Sequence, residues 1–137
     1  MISAQMEGKL RVVEIPRHPS YQFFEESSFV LVAGVSGKSV SFRSVKYPQN
    51  YIRTSKDLKL VLNADNGEDS SFEEDVSFIP RLGLMMINEP TAKPSLSFES
   101  VSHVGKFIRQ HKRKLWYSDS GGHVFNRDSS WIIEGNV

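Results

Sequence analysis

Apolar and polar residues alternate along much of this chain with a period of two, in short runs. Ser39–Val45 places Val40 and Phe42 on one side, and Leu58–Leu62 places Leu58, Leu60 and Leu62 on one face. Val76–Ile79 and the aromatic, β-branched Tyr51–Arg53 are two further runs. A period of two is that of a strand buried on one side. Pro48, the stretch Asn63–Gly67 and Pro80 separate the runs, and these residues break strands or turn the chain. Asn66-Gly67 is the sharpest turn signal, because both residues tolerate positive φ. Val40–Leu84 therefore reads as one unit of four short strands.

That unit recurs on both sides. Asp75-Val76-Ser77-Phe78 is echoed by Asp128-Ser129-Ser130-Trp131 and by Glu26-Ser27-Ser28-Phe29. Phe23, Phe72 and Phe125 each precede the acid by three residues, and Val40–Val45 matches Leu96–Val101 at a spacing of 56. A period of roughly 50 residues marks a repeat architecture. Three copies, near residues 1–38, 39–94 and 95–137, predict one all-β domain closed as a β-trefoil, since closure removes exposed sheet edges. Aligning Lys9-Leu10 with Lys59-Leu60 puts Ile2 opposite Ile52. The first repeat is then incomplete, lacking a counterpart of Val40–Val45. Its open edge is expected to be covered by a partner, by the tail near Val137 or by the rest of a longer parent chain. Leu10, Val12 and Ile15 predict a strand and Arg17–Ser20 a turn. Phe29, Phe42, Leu60, Phe78, Phe98 and Trp131 are the expected core.

The segments SVKYPQNYIR, LVLNADNG, the F-x-x-D-x-S-F pattern and PRLGL, in that order, resemble the repeat of the arabinofuranose-binding module. That module is the C-terminal domain of α-L-arabinofuranosidase B, a β-trefoil also classed among carbohydrate-binding modules. FIRQHKRKLWYSDSGGHVFNRDSSWIIE is similar to the family's last repeat. The resemblance covers about residues 39–137.

Length and composition set the outer bounds. At 137 residues, with 39% hydrophobic and 11% aromatic residues, the chain suits one globular domain. A formal net charge of +1 supplies no field to recruit nucleic acid or an anionic membrane. The absence of cysteine removes disulfides and thiolate chemistry. No apolar run is long enough for a membrane span or a signal core. An extracellular setting is implied by the resemblance alone.

Other motifs dissolve on inspection. Gly34-Val35-Ser36-Gly37-Lys38-Ser39 is similar to a phosphate-binding loop, but strand chemistry follows it where a helix is required. It predicts a hairpin turn. Centring a calcium loop on Gly67 puts Leu62 and Ala64 where carboxylates are needed, so the acidic run Asn63–Asp75 reads as a solvated turn. His111–Lys114 reads as a hairpin tip. Met85 and Met86, between the second and third copies, read as packing. His18, His103, His111 and His123 show no metal-ligand spacing, and no cofactor is expected. Nothing in the pattern singles out the carboxylate pair that glycoside hydrolysis needs.

The predicted site follows from the resemblance together with the chemistry of carboxylates. An ionised aspartate is acceptor-only and takes two adjacent sugar hydroxyls. The family aspartate that contacts sugar carries over to Asp75 and Asp128. The family histidine does not: Thr54 and Gln110 stand in its place, and copy one offers Ala4 with Glu26. Tyr47, Tyr51 and His103 complete the predicted carbohydrate-binding set, His103 standing where copy two has Tyr47. Copy two, with Tyr47, Tyr51, Thr54 and Asp75, keeps most of the family pattern. Two functions stay open at this point. One is a non-catalytic carbohydrate-binding module for arabinofuranose side chains of arabinoxylan or arabinan. The other is a β-trefoil for protein interaction or scaffolding that has lost sugar binding, its aspartates anchoring turns.

Overall fold

A computed structural model describes residues 1–5, 8–57, 59–82, 95–111, 114–119 and 131. The chain order is β1 (Ile2–Ala4), β2 (Leu10–Val12), α1 (Tyr21–Glu26), β3 (Phe29–Ala33), β4 (Val40–Ser44), β5 (Asn50–Thr54), β6 (Leu60–Ala64), α2 (Phe72–Asp75), β7 (Phe78–Leu82), β8 (Leu96–Ser100), β9 (Lys106–His111) and β10 (Lys114–Asp119). The domain is mostly β, and its named strand pairs are all antiparallel. The sheet runs β1-β2-β10-β9-β8-β7-β4-β5-β6, with β3 paired to β4.

One hairpin pattern appears three times. Ile52 faces Leu62 and Thr54 faces Leu60 across β5–β6. Ile2 faces Val12 and Ala4 faces Leu10 across β1–β2. Ile108 faces Tyr117 and Gln110 faces Leu115 across β9–β10. Strand alternation explains the burial, because every second residue of β5 points inward. Ile52 and Thr54 are buried, whereas Tyr51 and Arg53 lie on the outer face. The core gathers Ala4, Leu10, Ile52, Leu60, Leu62, Phe78, Phe98 and Ile108. Phe42 meets Phe98 edge-on, with ring centroids 5.0 Å apart, a favoured geometry for aromatic quadrupoles.

Several expectations need correction. Phe29, Phe42 and Trp131 are only half-buried. All three border an apolar cavity of about 330 Å3, which Leu31, Ile52 and Phe98 also line. Ile15 lies outside β2 and is exposed. The run predicted over Val76–Ile79 shifts to Phe78–Leu82, so Pro80 sits inside a strand. Proline is tolerated there because β4 meets β7 only at Val40 and Phe78. Pro80 pairs with Phe98 on the other side. Two short helices stand where none was expected, and α2 ends the acidic run Asn63–Asp75 that reads as a solvated turn. Ser20 caps α1, its hydroxyl accepting the Phe23 amide at 3.1 Å, as serine does at helix starts. In the Asn63–Gly67 stretch, Gly67 has φ +77°, and the Asp65 carboxylate accepts its amide at 2.9 Å. The predicted turn at Gly34–Gly37 joins β3 to β4, the Ser39 carbonyl accepting the Gly34 amide at 3.0 Å.

Candidate functional site

Alternation sends the Arg53 side chain to the outer face of β5, under the acidic segment 63–75. Its Nε and Nη2 donate to Asp75 Oδ2 at 3.2 and 2.9 Å. Nη1 donates to Asn63 Oδ1 at 3.1 Å, and Nη2 also pairs with Asp69. The guanidinium carbon lies 5.2 Å from the centre of the Phe72 ring, a cation–π distance. One side chain thus pins the whole segment between β6 and β7. The Arg53 bond, helped by the Ser71 hydroxyl and amide, lowers the Asp69 pKa from 3.8 to about 2.

Asp75 closes α2. The Ser71 hydroxyl adds a third bond to Oδ2 at 3.2 Å. All these bonds converge on Oδ2; among the described residues none reaches Oδ1. Thr54 is buried beneath, 3% exposed. Its hydroxyl lies 3.4 Å from the Asp75 carbonyl and 3.2 Å from Ser102 Oγ. Ser102 Oγ lies in turn 2.8 Å from His103 Nδ1. Thr54 thereby joins α2 to the β8–β9 turn, and Asp75, Thr54 and His103 form one connected group.

Glu99 sets that turn in place. Its Oε2 accepts the Gly105 amide at 2.8 Å, and Oε1 accepts Arg81 Nε and Nη2 at 3.0 and 2.8 Å. Burial opposes its charge, but the Gly105 amide and Arg81 outweigh it and hold the carboxyl below its usual range. Gly105 has φ +87°, which a side chain there would strain.

The remaining predicted residues fall elsewhere. Tyr47 sits on the β4–β5 turn, where Lys46 donates to Glu26 at 2.8 Å and lies 5.7 Å from the Tyr47 ring centre. The sequence groups Tyr47 with Asp75; the structure packs Tyr47 against the core beside Lys46, and His103 reaches Thr54 through Ser102. The backbone shows the correspondence: Val45 donates to Ser28 and Val101 to Ser77 in matching bonds of 3.0 and 3.1 Å. Tyr51 lies on the same face of β5 as Arg53, edge-on to Phe72 at 6.0 Å. Gln110 is half-buried in β9, at the register position Thr54 holds in β5. Asp128 lies outside the described residues.

Sequence reasoning misses Arg53 and Ser102. An arginine on the polar face of β5, followed by an acid-rich stretch, is the signal that points to the first. Nothing in the sequence marks Ser102. Among the described residues no three His, Asp or Glu side chains are grouped to hold a metal, and no helix is long and apolar enough to cross a membrane.

The model of the alpha-L-arabinofuranosidase B domain family matches residues 4–133. None of the curated proteins matches the chain. A GH54 α-L-arabinofuranosidase soaked with a cyclic sulfate inhibitor superposes with a TM-score of 0.78 at 27% identity, over 93% of this chain and 26% of that one. An arabinofuranosidase complexed with arabinofuranosyl-α-1,2-xylobiose matches at 0.77, with the same identity and coverage. The chain therefore spans about a quarter of those enzymes. A mosquitocidal holotoxin matches with a TM-score of 0.69 at 11% identity, over 99% of this chain and 16% of that one, a likeness of fold alone.

Proposed function

The chain belongs to the alpha-L-arabinofuranosidase B domain family, and on that premise we propose that it is a non-catalytic carbohydrate-binding module for arabinofuranose side chains. In this reading it serves as an accessory to a glycoside hydrolase, in an extracellular setting, on arabinoxylan or arabinan. The observation that carries the proposal is the state of Asp75. Its carboxylate is anchored through Oδ2, while Oδ1, without a protein partner among the described residues, is left to accept sugar hydroxyls. His103, linked to the Asp75 backbone carbonyl through Ser102 and Thr54, supplies the imidazole that the family carries on the strand. Thr54 then works from below, fixing the spacing of the two. By sequence alone, Gln110 and Asp128 hold the corresponding positions of the proposed third copy. A relative's complex with arabinofuranosyl-α-1,2-xylobiose supports this class of ligand.

The threefold plan is part of the proposal. The recurring register of Ile2, Ile52 and Ile108 supports three repeats, near 1–38, 39–94 and 95–137, in a β-trefoil.

One observation favours the second reading, an interaction or scaffold domain. Thr54, in the family histidine's place, is buried and bonded to protein. A glycan array that includes arabinan and arabinoxylan separates the readings: retention on the arabinose-bearing glycans supports the first, and no retention supports the second.

A further inference from the structure

Helix α2 has two flanks. Asp75 stands on one, with Arg53 and Thr54. Glu73 faces a second hollow, of about 550 Å3, within the roughly 300–1,000 Å3 of small-molecule sites. Its walls are Tyr51 beside Phe72, Gln49, Asp65, Glu73, and the end of β3 with Gly34 and Val35 after it. Ser77 fastens the two sides together. Its hydroxyl donates to the Glu73 carbonyl at 2.6 Å and accepts the Val35 amide at 3.0 Å. The Gln49 amide, the Tyr51 hydroxyl and the Glu73 carboxylate make no hydrogen bond to protein among the described residues.

We propose that this hollow is a second saccharide subsite, taking a neutral, hydroxyl-rich sugar unit. Two carboxylates accept hydroxyls and repel anions, which excludes phosphates and uronic acids. The Gln49 amide both donates and accepts, and Tyr51 offers an aromatic face with a polar tip. The inference rests on the reading that the domain takes neutral saccharides, but it uses none of the Asp75, Thr54 and His103 group.

The test is an NMR titration of the full chain with arabinofuranosyl-α-1,2-xylobiose, following backbone amides. Those of Val35 and Gln49 are expected to shift along with those of Ser102 and His103. Gln49 and Glu73 are exposed, so the Gln49→Ala, Glu73→Ala double variant keeps the fold. In it the first pair stops shifting and the second pair continues. Shifts confined to Ser102 and His103 in the unaltered chain would overturn the second subsite and leave the Asp75 site standing. Shifts at Val35 and Gln49 that survive the double variant would also overturn it. Shifts at neither pair would overturn both readings.

Discussion

Arg53 grips Asp75 through a single carboxylate oxygen, Oδ2, with two bonds at 3.2 and 2.9 Å. Two bonds from one guanidinium anchor that oxygen, and among the described residues the other oxygen has no protein partner. Arg53 also holds Asn63, Asp69 and Phe72, so it organises the segment as a whole.

The first prediction concerns that clamp. Arg53→Ala is expected to destabilise the domain by about 1–3 kcal/mol, since a charged, partly buried hydrogen-bond hub is lost. Arg53→Lys is expected to recover little, because an ammonium cannot fork to three acceptors and stack on Phe72. Urea denaturation of both variants measures this. Equal stability of Arg53→Lys and the unaltered chain would show that charge alone suffices.

Acid should release the same segment. Asp69 has its carboxyl lowered from 3.8 to about 2, so the folded state binds that proton less readily than the unfolded chain. Its contribution is complete above 3.8 and fades as pH falls towards about 2. Denaturation midpoints taken across that window should drop, and Asp69→Asn should flatten the drop. An unchanged slope in Asp69→Asn would assign the acid sensitivity to other groups.

The core makes a ranked prediction. Phe78 is 0% exposed, and Phe78→Ala is expected to cost about 3–5 kcal/mol. Phe42 borders the apolar cavity, so Phe42→Ala enlarges an existing void and removes less buried surface. It should cost less. Thermal melts in the reverse order would contradict this account of the cavity.

Much of this architecture is legible in the sequence. Alternation at Val40–Ser44 and Leu60–Leu62 reveals strands, because one buried face imposes the period of two. The alignment of Ile2 with Ile52 reveals the recurring register, because equivalent hairpins need equivalent core residues. Pro80 misleads, since its effect depends on whether a neighbouring strand needs its amide. Phe29, Phe42 and Trp131 read as core because the sequence cannot show a cavity. The Asp75 position is legible through family resemblance, yet its neighbours are not. His103 lies 28 residues away in sequence and reaches Thr54 only through the β8–β9 turn that Glu99 and Gly105 shape.

The central claim is that Asp75 receives the sugar. A calorimetric titration of arabinofuranosyl-α-1,2-xylobiose into the unaltered chain and Asp75→Ala tests it directly, with thermal melts beside it. A charged hydrogen bond is worth about 1.5–3 kcal/mol. Its loss from a ~1 mM site leaves nothing measurable. Asp75→Ala is therefore expected to abolish most of the binding and lower the melting temperature little, since Arg53 keeps Asp69 and Asn63. Asp128→Ala should weaken binding less. Unchanged affinity in Asp75→Ala, or no binding to the unaltered chain, would contradict the account.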